Sequence, residues 1–124
     1  MKAFLKNYRQ SPRKVRLVAE LIKGRTVNDA LAQLHFLPKR ATGSVEKVLR
    51  SAIANAKAND GIEADKLVVK SVLIDKGLVL RRVERKARGS ANVLHKRMSH
   101  IQVILDTKKE TVKKTKAVKS KAKK

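Results

Sequence analysis

Cysteine is missing from this chain, and so is tryptophan. Without cysteine there is no disulfide, no thiolate metal site and no Cys nucleophile, and a reducing compartment suits the chain. Aromatic residues make up 2% of it, too few for the run of rings on which single-strand nucleic-acid binders stack successive bases. The same poverty argues against a cationic membrane-surface helix, whose apolar face carries Trp or Phe. No segment approaches the roughly 20 apolar residues that span a bilayer, so membrane insertion is not expected. No apolar h-region follows Met1, and Glu20 and Asp29 do not suit a transit peptide, which leaves the cytosol as the expected location.

Chemistry-bearing clusters are absent too. His35, His95 and His100 lack metal-ligand spacing and have no clustered carboxylates beside them. Asp60, Glu63 and Asp65 gather around Gly61 without the ligand pattern of a calcium loop. There is no Gly-rich phosphate loop, no carboxylate pair with a nearby base and no nucleophile motif. The expectation is a protein that is not an enzyme, with no catalytic residues, no cofactor and no metal.

What the chain does have is positive charge. Against 10 Asp+Glu stand 32 Lys+Arg, a net charge of +22 over 124 residues. Self-repulsion at that balance opposes compaction, so a neutralising polyanion is expected, nucleic acid before any other. The length suits one domain.

The charge concentrates in residues 77–105. Two β-compatible segments there flank a small-residue centre, Ala87-Arg88-Gly89-Ser90-Ala91-Asn92, in which Gly89 and Asn92 tolerate positive φ. This reads as one long β-hairpin, with its extended part over 78–104. Arg81, Arg82, Arg85, Lys86, Arg88, Lys96 and Arg97 crowd its distal part against a single acid, Glu84. Neither distal face is consistently apolar, and like charges across a two-stranded ladder weaken it. Such a ribbon makes sense when a polyanion orders it. At ~3.3 Å per residue, an arm of about ten residues reaches ~33 Å, beyond the radius of a small domain.

Taken in order, residues 2–9 alternate as a short strand, with Phe4 and Tyr8 assigned to core or cap positions. Ser11 and Pro12 start a first helix as cap and N1 residue. Val15, Val18, Ala19 and Ile22 form its apolar stripe, widened by Leu17 and Leu21, and Gly24 ends it. Thr26 and Asp29 have capping-box spacing before Val27, Ala30, Leu31 and Leu34, and Pro38 stops that second helix. His35 is expected to pack near its end. Val45, Val48, Leu49, Ala52, Ile53 and Ala56 carry a third helix to Gly61, with Gly43 blurring its start. Residues 67–74 read as a central strand and Asp75-Lys76-Gly77 as the turn into the hairpin. Ile101, Val103 and Leu105 give the returning strand a core face. Seven of the last twelve residues are Lys, so 107–124 is expected to be a disordered basic tail. The predicted fold is α+β: three helices packed on a small antiparallel sheet, a long protruding β-hairpin and that tail, with 1–106 as the single domain.

Three stretches in register resemble a known family. Ser11-Pro12-Arg13-Lys14-Val15-Arg16-Leu17-Val18, Ser51-Ala52-Ile53-Ala54-Asn55-Ala56, and Lys86-Ala87-Arg88-Gly89-Ser90 followed by Ser99-His100-Ile101-Gln102-Val103 are similar to motifs of the bacterial large-subunit ribosomal protein twenty-two family. The resemblance covers 1–106. It implies a structural constituent of the large ribosomal subunit, in the cytoplasm, that binds 23S-type rRNA beside neighbouring large-subunit proteins. It further implies a globular part near the exit of the nascent-peptide tunnel. The hairpin tip, Ala87, Arg88, Gly89, Ser90, Ala91 and Asn92, would line that tunnel and meet the nascent polypeptide. Many members carry Pro-Arg-Ala-x-Gly-Arg at the tip, where this chain has Arg85-Lys86-Ala87-Arg88-Gly89-Ser90.

The candidate rRNA-binding residues are Arg9, Arg13, Lys14, Arg16, Arg81, Arg82, Arg85, Lys86, Lys96, Arg97 and His100. Arg13, Lys14 and Arg16 sit at the helix end that the macrodipole makes unfavourable for cations. A phosphate docking there would offset that, and plain surface solubility is the alternative. For the arm, arginine's bidentate grip on phosphate and stacking on unpaired bases suit RNA. Three rival readings are an architectural DNA-binding protein with β-arms, a small enzyme acting on nucleic acid, and a membrane-active cationic protein. The tip lacks the apolar wedge of the first, and no homo-oligomer is expected.

Overall fold

The structure, a computed structural model, describes residues 1–107. Strand β1 (Lys2–Tyr8) is followed by helices α1 (Pro12–Ile22), α2 (Val27–Phe36) and α3 (Thr42–Asp60). A 3₁₀ turn (Ala64–Lys66) leads to β2 (Leu67–Arg85), and another (Ala87–Gly89) leads to β3 (Ala91–Thr107). The α+β expectation holds: three helices cover one face of a three-stranded antiparallel sheet, from which the β2–β3 hairpin projects. The predicted basic tail lies, beyond Thr107, outside the described residues.

The helices form where the apolar spacing places them, although Leu17, expected to widen the α1 stripe, points away from the sheet and is 62% exposed. Val15, Val18, Ala19 and Ile22 of α1 are buried, as are Val27, Ala30 and Leu34 of α2 and Val45, Val48, Leu49, Ala52 and Ala56 of α3. Each fully buried Val, Leu or Ile stabilises by roughly 1.5–3 kcal/mol before the entropy of ordering it is subtracted. Against these stripes the sheet turns Ala3, Val69, Ile74, Ile101, Val103 and Leu105. Beyond α1 the chain is pinned to the sheet: the Gly24 amide donates to Val69 O (2.8 Å) and the Val69 amide to Arg25 O (2.9 Å).

The helix ends differ in detail from the sequence reading. Ser11 stands before Pro12, but its side chain makes no cap; its carbonyl accepts from the amides of Lys14 and Val15. Thr26 Oγ1 accepts from the Asp29 amide and donates to Asp29 Oδ2 (2.7 Å). The acid thus braces the hydroxyl rather than reaching back to the chain. Helix α3 begins at Thr42, so Gly43 lies inside its first turn. Gly61 ends it at φ 64°, its amide returning to Ala56 O.

Two strand assignments are corrected. The sheet order is β1-β3-β2, which puts β2 at an edge and the returning strand β3 in the centre. An apolar run marks a strand but does not say which neighbour takes its other side; here β1 returns to pair with β3 (Ala3↔Val103, Leu5↔Ile101). Nor is there a turn at Asp75-Lys76-Gly77. Strand β2 runs on through it, with an irregularity in pairing between Lys76 and Val79. Gly77 is there for close approach: a Cβ on it would lie 3.2 Å from the backbone carbon of Met98 and 3.3 Å from the His100 ring.

Two aromatic placements change as well. Phe4 is 56% exposed on the sheet face away from the helices, because Ala3 takes the inward position beside it. His35 is exposed, its ring edge-on to Phe36 at 5.6 Å. Tyr8 does act as a cap, its hydroxyl donating to Gln10 Oε1 (2.9 Å) and to Arg40 O (3.3 Å).

Candidate nucleic-acid interface

The arm is a regular ladder as far as its tip. Val79↔Arg97, Leu80↔Lys96, Arg81↔His95, Arg82↔Leu94, Val83↔Val93, Glu84↔Asn92 and Arg85↔Ala91 face one another. Every residue over 81–97 is exposed. The register answers the worry over like charges. Each Arg or Lys of the ladder faces an apolar residue or His95, never another Arg or Lys, so direct repulsion across the strands is avoided. Val83 and Val93, 70% and 58% exposed, form a β-branched pair that helps hold the ribbon. Glu84 meets Lys86 at 3.2 Å, an exposed pair of little energetic weight. Among the described residues, Arg81, Arg82, Arg85, Arg88, Lys96 and Arg97 have no carboxylate at ion-pair distance.

The tip closes without proline. The Lys86 amide donates to Ser90 O (2.8 Å), and both the amide and the hydroxyl of Ser90 donate to Ala87 O. Positive φ falls on Arg88 (57°) and Gly89 (72°), whereas Asn92 is an ordinary strand residue opposite Glu84. Hence the reversal needs only one glycine, and Arg88 takes the left-handed conformation at some cost.

Where the base of the arm passes α1, a cleft of about 740 Å³ opens. From the β1–α1 connection come Arg9, Gln10 and Ser11; from α1 comes Lys14; from the α2–α3 loop, Arg40; from β3, His95, Lys96, Arg97 and Met98. Five cations thus face one concavity, and no carboxylate lines it. Ser11 stands at the N-terminus of α1, whose first turn holds no acid and no side-chain cap. The helix dipole adds partial positive charge there. Tyr8 fixes the rim by holding Gln10 and the Arg40 carbonyl.

The structure therefore brings Arg9, Lys14, Lys96 and Arg97 together and sets other candidates apart. Arg13 is exposed on the first turn but does not line the cleft. Arg16 lies in a second groove beside Glu20, Lys23 and Asp75, where its Nη2 donates to Ile74 O (3.1 Å) and ties α1 to β2. His100 accepts the Asn7 amide on Nδ1 (3.0 Å), bracing the irregular turn of β1 at which Asn7 has φ 54°. Sequence reasoning missed Arg40. Its signal was the acid-free Pro38-Lys39-Arg40 loop, and only folding brings that loop to the arm.

Comparison with known proteins bears on the chain as a whole. The family model described as "Ribosomal protein L22p/L17e" matches residues 3–106. The chain belongs to that family. The large ribosomal subunit protein uL22 of Desulfitobacterium hafniense is 50% identical over 109 residues, spanning 88% of this chain and 96% of that protein. That of Deinococcus deserti is 50% identical over 110 residues, 89% of this chain and 79% of its own length. A third, from Herpetosiphon aurantiacus, is 47% identical over 105 residues, with coverage of 85% and 93%. The resemblance read from the three motifs is thereby confirmed. As a ribosomal L22p/L17e protein the chain is structural, not catalytic. Among the described residues no helix is long and apolar enough to cross a membrane.

Proposed function

We propose that this protein is a structural constituent of the large ribosomal subunit in the cytoplasm, and that it binds 23S-type rRNA by two joined basic surfaces. The observation that carries this is the acid-free cleft in which Arg9, Lys14, Arg40, Lys96 and Arg97 meet at the root of a cationic arm. Arm and cleft are continuous through Lys96 and Arg97, so a polyanion seated in one leads into the other. Residues 1–106 act as one domain that docks, with neighbouring large-subunit proteins beside it near the tunnel exit. The hairpin fills an rRNA crevice and brings Ala87, Arg88, Gly89, Ser90, Ala91 and Asn92 to the wall of the nascent-peptide tunnel. Arg13, Arg81, Arg82, Arg85 and Lys86 contact phosphate along the way. Arg16 and His100 reach RNA from positions already engaged in holding the fold. Chemically, the surface works by counterion release and by the bidentate grip of guanidinium on phosphate.

The test is sedimentation. The chain is expected to travel with large subunits through a sucrose gradient after a high-salt wash. Finding it free, or on chromosomal DNA, overturns the reading.

A further inference from the structure

The helices leave the other face of the sheet uncovered, and that face is not uniformly polar. Phe4, Gln102 and Leu73 form one row across the three strands, since Phe4 pairs with Gln102 and Gln102 with Leu73. Lys2, Ile104 and Ser71 form the next row. Phe4 is 56% exposed and Leu73 45%, and Ile104 is half-buried diagonal to the ring. Single exposed apolar residues need no explanation, but three adjoining ones on an open sheet do.

The chemistry around them is specific. Lys2 Nζ lies over one face of the Phe4 ring, 5.9 Å from its centroid, which leaves the opposite face for a base. Lys6 is exposed on the same strand, two residues beyond Phe4. The side-chain amide of Gln102 has no hydrogen-bond partner among the described residues, leaving a donor and an acceptor beside the ring. With strands ~4.8 Å apart, the Phe4-to-Leu73 row spans about 10 Å, room for a nucleobase and its sugar. A ring to stack on, flanking cations for phosphate and an amide for a base edge are what an unpaired nucleotide requires. A protein partner would use the apolar strip but would have no need of a lysine over the ring.

We propose that this sheet face holds one unpaired RNA nucleotide, its base stacked on Phe4 and edged by Gln102, its phosphates met by Lys2 and Lys6. The site is separate from the cleft and the arm, though it rests on the reading that the chain binds RNA.

The absence of tryptophan supplies the test. In the full chain, Phe4→Trp places the sole tryptophan at an exposed position where the fold tolerates it. Its emission is titrated with a short single-stranded oligoribonucleotide, with a blunt RNA duplex, and with heparin as a polyanion without bases, while a labelled oligonucleotide reports binding independently. The single strand is expected to quench the emission, and the duplex and heparin are expected to leave it nearly unchanged. Phe4→Ala and Phe4→Leu should each weaken single-strand binding by roughly 5- to 100-fold. The salt slope should be unaltered, because it counts the phosphates neutralised. Single-strand binding without quenching, quenching by heparin, or full affinity in Phe4→Leu overturns the stacking site and leaves the rRNA reading standing. Failure of the unaltered chain to bind any RNA overturns both.

Discussion

Gly77 lies in the middle of β2 with Met98 and His100 pressed against its open side. A methyl group there needs the neighbouring backbone to shift by a few tenths of an ångström. Gly77→Ala is expected to destabilise the domain by about 1–3 kcal/mol. Chemical denaturation should register this as a lower midpoint at unchanged slope, and an unaltered midpoint would mean that β3 yields freely at Met98. Phe4 was expected in a core or cap position, and the strand pairing turns it outward. Its neighbours in β1 are the small Ala3 and the half-buried Leu5, and which parity faces the helices depends on packing against α3. Period-2 alternation in so short a strand leaves that choice open.

At the scale of the element, the helices were legible because a 3.6-residue stripe is local. Val15 to Ile22 and Val45 to Ala56 declare their inner faces without reference to the rest of the chain. The hairpin was legible as a hairpin, but not its register. Only the pairing shows Arg81 opposite His95, Arg82 opposite Leu94 and Arg85 opposite Ala91, which removes the expected charge conflict. The ribbon is nevertheless exposed throughout and has no core beneath it, so it opens at far lower free energy than the body. Limited trypsin treatment of the RNA-free chain is expected to cut first within 81–97, while 11–75 resists. An arm as resistant as the body would show that the ribbon does not need RNA to stay closed.

For the molecule as a whole, the question is where the anchor lies. The cleft gathers cations from the β1–α1 connection, α1, the α2–α3 loop and β3, whereas the tip offers Arg88 in an isolated turn. Removing residues 85–91 should therefore leave affinity for large-subunit rRNA within a few-fold. Replacing Lys14, Arg40 and Arg97 together by Ala should lower affinity at moderate salt by one or more orders of magnitude. It should also flatten the slope of log affinity against log salt by about one for each phosphate no longer neutralised. Abolished binding on tip removal, with an unchanged slope in the triple variant, would move the anchor into the arm.

Composition and periodicity by themselves determined that this is a cationic α+β domain, that its apolar stripes build a body, and that its charge gathers on a hairpin. Those properties are additive along the chain or local to a few turns, so no fold is needed to read them. Only the tertiary structure decided that β3 is the central strand, that Arg40 joins Lys14 and Arg97 around one cleft, that Arg16 and His100 are engaged in holding the fold, and that Phe4 faces outward. Each of those depends on residues tens of positions apart meeting in space, and their geometry is set by how the helices pack on the sheet rather than by any stretch of sequence alone.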